Sequence, residues 1–509
     1  MKFFYSNLAK SVVFLYTGSM CARYAEATRN TSDNYFIRLI GLIICIGAAA
    51  SVVMAVLFML KLGLDITSGN LFLFVLVDAA LVVLAFFLFI SNKVNYNNAL
   101  RFISFALVGL MLFVNLFLAS YLNTTEEFLD PHTFGRSTPS GIEYSIVAQR
   151  TAGIELSAKK EVRAGIQSTD AFKKDAEKET KKLAAAAFTE FANVSSMIDA
   201  TRNDKVDIAV VPSALLDTFA EYFPESFDNL DVLARFNAGT TATKSPASDA
   251  KIDITKPFSI YVSGLDVEGD INQTGRSDSN MLVLIDPERY KVLLINTPRD
   301  YYVMIHGTKG IPDKLTHAGM YGIDVCEQTI ADLYGIDIDY HVQINFTTIT
   351  TLVESMGGIL VDNPKTFSLW GQTYKEGNIW LNGDQALLFA RARKGVEGGD
   401  LGRGQNQQLV IEGIIKRITK PDIVVHYQSL LRNLSGTFLS NIPPSVITQL
   451  FGRQISLGGK WTIEKMSATG TNAKRPTYSM GSQELDVVIP DQLSIYEINQ
   501  AIDDFMHGR

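Results

Sequence analysis

The chain has 509 residues, room for two or three folded units, and 47% of them are hydrophobic. Its formal net charge of −7 excludes general nucleic-acid binding through a basic surface. Cys21 and Cys45 fall near the start and Cys326 stands alone later, so the later part has no internal disulfide and relies on a packed core.

Residues 1–38 carry Lys2, Lys10, Arg23, Arg29 and Arg38 and read as a cytoplasmic segment. Residues 39–122 hold three nearly uncharged apolar runs, at 39–60, 71–90 and 102–122. Each is about 20 residues, enough for a helix to cross a hydrocarbon core of about 30 Å. A cleaved signal peptide does not fit, because the first run starts too far in and two more follow. Lys93 and Arg101 sit between the second and third runs, whereas Lys61 alone sits between the first and second. The positive-inside rule therefore predicts a multi-pass cell-membrane protein with a cytoplasmic N-terminus and everything after about residue 123 outside. Asp78 and Asn115 lie within the second and third runs. An intramembrane carboxylate is a functional candidate, and a mutual hydrogen bond is the plainer expectation.

Residues 123–238 read as a small α/β accessory domain. It has strands at 142–149 and 161–167, a charged, Ala-rich helix at 170–191 and a short strand at 207–211. No catalytic constellation stands out there, and the charge run reads as a solvated helix face. Residues 239–250, rich in Thr, Ser and Ala, read as a linker. Residues 251–509 form the larger α/β unit. Strands are expected at 258–263, 281–285, 291–296, 340–345 and 485–488, and helices at 323–333, 347–356, 385–391, 404–418 and 495–506. This alternation predicts a central mixed sheet flanked by helices on both faces. The 460–479 stretch reads as peripheral, and Cys326 as a small buried hydrophobe.

Polar residues gather where strands end. Residues 258–263 run into Gly264-Leu265-Asp266, Gly275-Arg276-Ser277-Asp278 precedes a strand, and residues 291–296 run into Thr297-Pro298-Arg299-Asp300. Ligands bind outside such strand ends in α/β sheets. Arg391-Ala392-Arg393 and Gly398-Gly399-Asp400 follow, then Arg403 and Gln407, one turn apart at the start of a helix whose N-terminus favours anions. Arg276, Arg299, Arg391, Arg393 and Arg403 offer the forked donors that match phosphate oxygens. Asp266 and Asp278 beside them suggest a hard divalent ion, Mg²⁺ or Mn²⁺. Surface salt bridges would give the same residue types, and each short motif alone is weak.

The combination, in this order, resembles the LytR–CpsA–Psr family. The similar stretches are Ser263-Gly264-Leu265-Asp266, Gly275-Arg276-Ser277-Asp278-Ser279-Asn280-Met281, Asn296-Thr297-Pro298-Arg299-Asp300, Lys314-Leu315-Thr316-His317-Ala318, Gly357-Gly358-Ile359, Phe389-Ala390-Arg391-Ala392-Arg393 and the run from Gly399 to Gln408. Three spans followed by an accessory domain look like the capsule-associated CpsA-type branch.

The resemblance implies a phosphotransferase of Gram-positive bacteria that moves a capsular glycopolymer from an undecaprenyl-pyrophosphate carrier to peptidoglycan. Carried over by motif, Asp266 and Asp278 would hold the metal. Arg276, Arg299, Arg391, Arg393, Arg403 and Gln407 would hold the pyrophosphate. Arg299 and Asp400 would be catalytic, Asp400 by orienting arginines or acting on the incoming hydroxyl. The phosphoanhydride already carries the driving force, so positioning and charge stabilisation suffice. The lipid tail needs an apolar tunnel, for which Leu387, Leu388, Val410, Ile411 and Ile414 are candidates, although such spacing more often marks ordinary core. His306 and His317 lack metal-ligand spacing. Two alternatives stay open: a hydrolase that only cleaves the carrier pyrophosphate, and a non-catalytic regulator that binds the lipid-linked polymer during capsule assembly.

Overall fold

The computed structural model describes residues 35–61, 69–91, 98–130, 142–238 and 253–509, apart from residues 158–159, 169, 171, 270, 273, 394–395, 397–398, 421–422 and 424–425. Most of the expected cytoplasmic segment, the orienting Lys93 and the expected linker at 239–250 lie outside the described residues. The described chain divides into two compact units.

The first unit contains helices α1 (Tyr35–Lys61), α2 (Gly69–Ser91) and α3 (Asn98–Phe128), which contain the three expected apolar runs. They pack on one another, and a later helix, Pro444–Leu457, packs on α2. Among the described residues, Ala106–Phe128 is long and apolar enough to cross a membrane, and Ile46–Leu57 and Phe72–Val83 are shorter apolar stretches. The packing is inside out relative to a water-soluble bundle: Phe113 and Leu116 are each 66% exposed, while Asp78 and Asn115 are 5% and 2% exposed. The Asn115 amide donates to Ser51 Oγ of α1 at 3.0 Å, while Asp78 Oδ2 and Asn115 Oδ1 are buried without a hydrogen-bond partner. The polar groups of the three helices thus lie away from the apolar exterior, without fully satisfying one another.

The second unit holds two mixed sheets. In the first, β1 (Ile142–Gln149), β2 (Glu161–Gln167), β3 (Ala185–Phe191), β4 (Ile208–Pro212) and β5 (Leu230–Ala238) stand in the order β3-β2-β4-β1-β5. Helices α4 (Lys173–Leu183), α5 (Val194–Arg202) and α6 (Ser213–Tyr222) complete this layer. The single helix expected over 170–191 is corrected here. It stops at Leu183, Ala184 is extended, and Ala185–Phe191 pairs parallel with β2 from Glu161↔Ala185 to Gln167↔Phe191. Ladder formation with β2 overrides the helix preference of an alanine run.

The second sheet is built from β6 (Phe258–Leu265), β7 (Ser277–Asp286) and β8 (Lys291–Thr297), with short β9 (Tyr302–Val303) and β10 (Asp313–Lys314) pairing beside it. A 3₁₀ segment, Leu315–Tyr321, leads into α7 (Ile323–Tyr334), β11 (Tyr340–Ile344) and α8 (Phe346–Ser355). Next come β12 (Ile359–Asn363), β13 (Phe367–Leu369), β14 (Gln372–Tyr374), β15 (Gly377–Leu381), α9 (Gly383–Arg391), α10 (Asp400–Ile418) and α11 (Tyr427–Leu434). The remainder is β16 (Leu439–Ser440), β17 (Thr462–Ser467), β18 (Gly470–Thr477), β19 (Gly481–Pro490) and a final helix α12 (Gln492–Met506). The six-stranded order is β16-β11-β6-β7-β8-β17, with parallel pairs β11–β6 and β17–β8.

Period-two alternation covers both faces of this sheet. Leu282 and Leu284 pack with Cys326 and Ile330 of α7 and Ile498 and Ile502 of α12. Met281 and Val283 face the other way, toward Ile411 and Ile415 of α10. Cys326 is buried as expected, and burial pushes its thiol up to about 12. The expected periphery at 460–479 is corrected: Thr462–Ser467 extends the main sheet beside β8, and Ser479 is fully buried. Ile463 and Met466 serve opposite faces, which erased the alternation that marks a strand. The two sheets also share apolar packing, with Met320, Met480 and Leu485 joining Met197, Leu216 and Phe219 in one cluster.

Candidate functional site

The site is assembled from the ends of β6 and β8, the start of β7 and the N-terminus of α10. Asp266 follows β6, and its amide donates to the Arg276 carbonyl at 3.2 Å, which sets Asp266 beside the residues that open β7. Arg299 follows β8 by two residues, and its carbonyl accepts from the Thr316 amide at 2.8 Å. Helix α10 starts after Gly399, whose φ of 59° lies in the left-handed region that glycine tolerates. Its first turn carries Asp400 and Arg403.

Asp278 is the centre of the cluster. Arg299 Nη1 donates to its Oδ2 at 2.5 Å, and the Thr316 hydroxyl donates to its Oδ1 at 3.0 Å. Arg393 and Arg403 approach the same Oδ2 at 3.5 and 3.8 Å. Asp400 is a second node, with Arg403 at 2.9 Å, Arg393 at 3.5 Å and Arg299 at 3.9 Å. Arg276 pairs with Asp266 at 3.3 Å and with Glu221 of α6 at 2.9 Å. Gln407 lies one turn beyond Arg403 on α10 and is half-buried. Arg391 stands apart from the Asp278–Asp400 group. Its guanidinium lies 4.1 Å from the centroid of the Phe346 ring, a cation–π contact. The Phe346 amide donates to the Val267 carbonyl at 3.4 Å, so Arg391 flanks the Asp266 end.

Burial opposes the charge on Asp278, yet Arg299, Arg403, Arg276 and the Thr316 hydroxyl outweigh it and hold its carboxyl below the usual carboxylate range. Burial also opposes the charge on Arg299, but Asp278, Asp300 and Asp400 raise it above the ordinary arginine value. Arg403 goes the other way: burial, with Arg393 and Arg299 nearby, lowers it despite Asp400 and Asp278. Arg299 Nε and Arg403 Nε are buried without a hydrogen-bond partner. The cluster therefore holds donors that its own carboxylates do not satisfy, the property of an anion site.

Two further residues join the site without having been given a role from the sequence. Lys314, buried, pairs with Asp300 at 2.5 Å, and Thr316 anchors Asp278. Both lie in the Lys314-Leu315-Thr316-His317-Ala318 stretch that carries part of the family resemblance, which was the available signal. His317, given no role from sequence, is fully buried and pairs through Nδ1 with Asp313 at 2.7 Å, and His306 pairs with Asp332 at 2.8 Å.

Asp266 and Asp278 offer the hard oxygen donors that Mg²⁺ takes. Among the described residues no three His, Cys, Asp or Glu side chains gather to hold a metal unaided. Such a donor set fits an ion held partly by substrate phosphate oxygens, as Mg²⁺ commonly is.

The arginine-bearing strand ends and the α10 N-terminus fall within residues 232–499, which match the sequence model of the LytR_cpsA_psr family. The polyisoprenyl-teichoic acid–peptidoglycan teichoic acid transferase TagU of Enterococcus faecalis is 32% identical over 233 residues, covering 45% of this chain and 76% of that protein. The protein of the same name from Halalkalibacterium halodurans is 33% identical over 225 residues, covering 43% and 69%. Among solved structures, B. subtilis TagV is 27% identical, covers 50% of this chain and 98% of its own, and superposes with a TM-score of 0.43. With more than half its length inside the family match, and with the Asp278 and Asp400 nodes both inside it, this chain belongs to the LytR_cpsA_psr family.

Proposed function

We propose that the protein transfers a glycopolymer from a polyprenyl-pyrophosphate carrier to peptidoglycan on the outer side of the cell membrane. The observation that carries this reading is the convergence of Arg299, Arg393 and Arg403 on Asp278 and Asp400, with buried guanidinium donors left unsatisfied. The names of the relatives support the same reaction class. Capsular polysaccharide is the proposed cargo and undecaprenyl pyrophosphate the proposed carrier.

Arg276, Arg299, Arg393 and Arg403, with Gln407 beside them, bind the pyrophosphate, and Arg391 serves the Asp266 end. Their forks stabilise the charge that grows on the leaving lipid phosphate, so the acceptor hydroxyl need only be held in line. Asp400 keeps three arginines aimed at that charge and is the candidate to take the acceptor's proton. Asp266 and Asp278 would hold Mg²⁺ or Mn²⁺, which would supply further charge neutralisation at the phosphates. The lipid tail lies along α10, where Ile411 and Ile415 face the half-buried Ile260, Val262 and Ile285 of the sheet. Of the other expected lining residues, Val410, Leu388 and Ile414 pack instead with Phe389.

The proposed topology has three crossings by α1, α2 and α3. Their outward apolar residues and inward Asp78 and Asn115 suit a lipid surround, and the basic N-terminal residues support a cytoplasmic position for that end. In cells lacking redundant paralogues, an Arg299→Ala, Asp278→Ala strain is expected to lose the polymer from its wall and shed it to the medium. Wall attachment at the wild-type level in that strain would count against transfer.

A further inference from the structure

Two carboxylates hold Arg276 from different layers of the fold. Asp266 comes from the end of β6 and meets Nη2 at 3.3 Å, whereas Glu221 comes from the last turn of α6, in the first sheet's layer, and meets Nη1 at 2.9 Å. Tyr222, the next residue, sets its ring 5.9 Å from Lys314 Nζ. The last turn of α6 thus touches two cations of the site.

We propose that Glu221 is an affinity-determining residue of this anion site. Its carboxylate occupies Arg276 until a phosphate oxygen of the lipid-linked pyrophosphate takes its place. The inference rests on the pyrophosphate reading above.

Charge balance carries the argument. Arg276, Arg299, Arg393, Arg403 and Lys314 are matched within the cluster by Asp266, Asp278, Asp300, Asp400 and Glu221. Arg391 and a bound divalent ion would add positive charge, but both sides of Arg276 are already occupied, so a phosphate oxygen reaches it only as one of its carboxylates leaves. Asp278 cannot leave cheaply, being held by three arginines and Thr316. The Glu221 side chain is 59% exposed, while those of the other four lie between 13% and 28%. An exposed ion pair contributes little, so Glu221 can swing into water at small cost. The freed Arg276 edge then offers two N–H groups to a phosphate, a stronger charge-assisted contact. Because α6 belongs to the layer outside the main sheet, that layer tunes the affinity of the phosphate site.

The test is calorimetric titration of the full-length chain, in lipid nanodiscs with Mg²⁺, using a short-chain polyprenyl pyrophosphate. Glu221→Gln keeps the side chain's size and removes its charge. Binding is expected to tighten by roughly 2- to 5-fold, the scale of an exposed ion pair. The gain is expected to vanish in an Arg276→Ala background, where Glu221 has no phosphate-binding partner to compete for. Unchanged or weaker binding by Glu221→Gln, with wild type binding and Arg299→Ala losing it, overturns this inference and leaves the pyrophosphate reading intact. Absence of binding by wild type overturns both.

Discussion

Gly404 of α10 and Asn296 of β8 approach so closely that a Cβ on Gly404 would stand 2.1 Å from Asn296 Nδ2 and 2.7 Å from its Cγ. Asn296 is buried, three residues before Arg299, and Gly404 directly follows Arg403. This contact docks the helix on the strand and brings both arginines to Asp278. Gly404→Ala is therefore expected to destabilise the fold by about 1–3 kcal/mol, the usual cost of overpacking. It should also weaken pyrophosphate binding. A smaller side chain opposite, in Gly404→Ala with Asn296→Ser, should recover part of the loss. Additive losses in that double-mutant cycle would show that the two positions are uncoupled.

A separate apolar cluster supports the arginines from below. Phe389 is fully buried against Phe367 and Tyr374, with ring centroids at 5.4 Å from each. It lies two residues before Arg391 in α9. Phe389→Ala is expected to cost about 3–5 kcal/mol in denaturant unfolding. Phe389→Leu should cost distinctly less, since it leaves a smaller cavity.

Acid stability should depend on Asp313. Burial opposes its charge, but His317 and Ser479, including the Ser479 amide at 2.8 Å, outweigh it and depress the carboxyl below its ordinary value. A carboxylate depressed in the folded state stabilises the protein above the unfolded-state value of about 4. That contribution disappears as pH falls from there through the folded-state value. Thermal midpoints measured across acidic pH should therefore fall more steeply for wild type than for Asp313→Asn. The variant should also be less stable at neutral pH, because His317 and the Ser479 amide then share a neutral, weaker acceptor in place of a carboxylate. Parallel acid limbs would assign the acid sensitivity to other carboxylates.

Divalent-ion dependence gives a fourth outcome. Chelation is expected to lower turnover, and Mg²⁺ or Mn²⁺ to restore it. Asp266→Asn should raise the Mg²⁺ concentration needed for half-maximal rate, because it removes one hard oxygen donor of a small set. An unchanged Mg²⁺ dependence would remove Asp266 from the metal site.

Much of this was legible in the sequence because local rules held. The strands at 281–285 and 291–296 sit within β7 and β8, and the helix at 323–333 is α7, closed by the left-handed Gly335. Arg276 and Arg299 were found next to strand ends and Arg391, Arg393 and Arg403 ahead of and within a helix N-terminus, and four of the five sit on carboxylates of the cluster. Arg391 differs because α9 ends on it. Ala392 then turns extended, with ψ of 120°, and sends Arg391 and Arg393 to different neighbours. Glu221 reaches the site only through long-range packing, which no local pattern encodes. The 185–191 and 462–467 strands were missed for the same reason: their ladder partners decide their state.

The most direct measurement is transfer itself. Full-length protein in lipid nanodiscs with Mg²⁺ is given a polyprenyl-pyrophosphate-linked glycan and a peptidoglycan fragment, and products are followed by mass spectrometry. The account predicts a glycan joined to the fragment through one phosphate, formed by wild type and lost in Arg299→Ala. Free glycan phosphate as the sole product, or transfer that persists unchanged in Arg299→Ala, would contradict it.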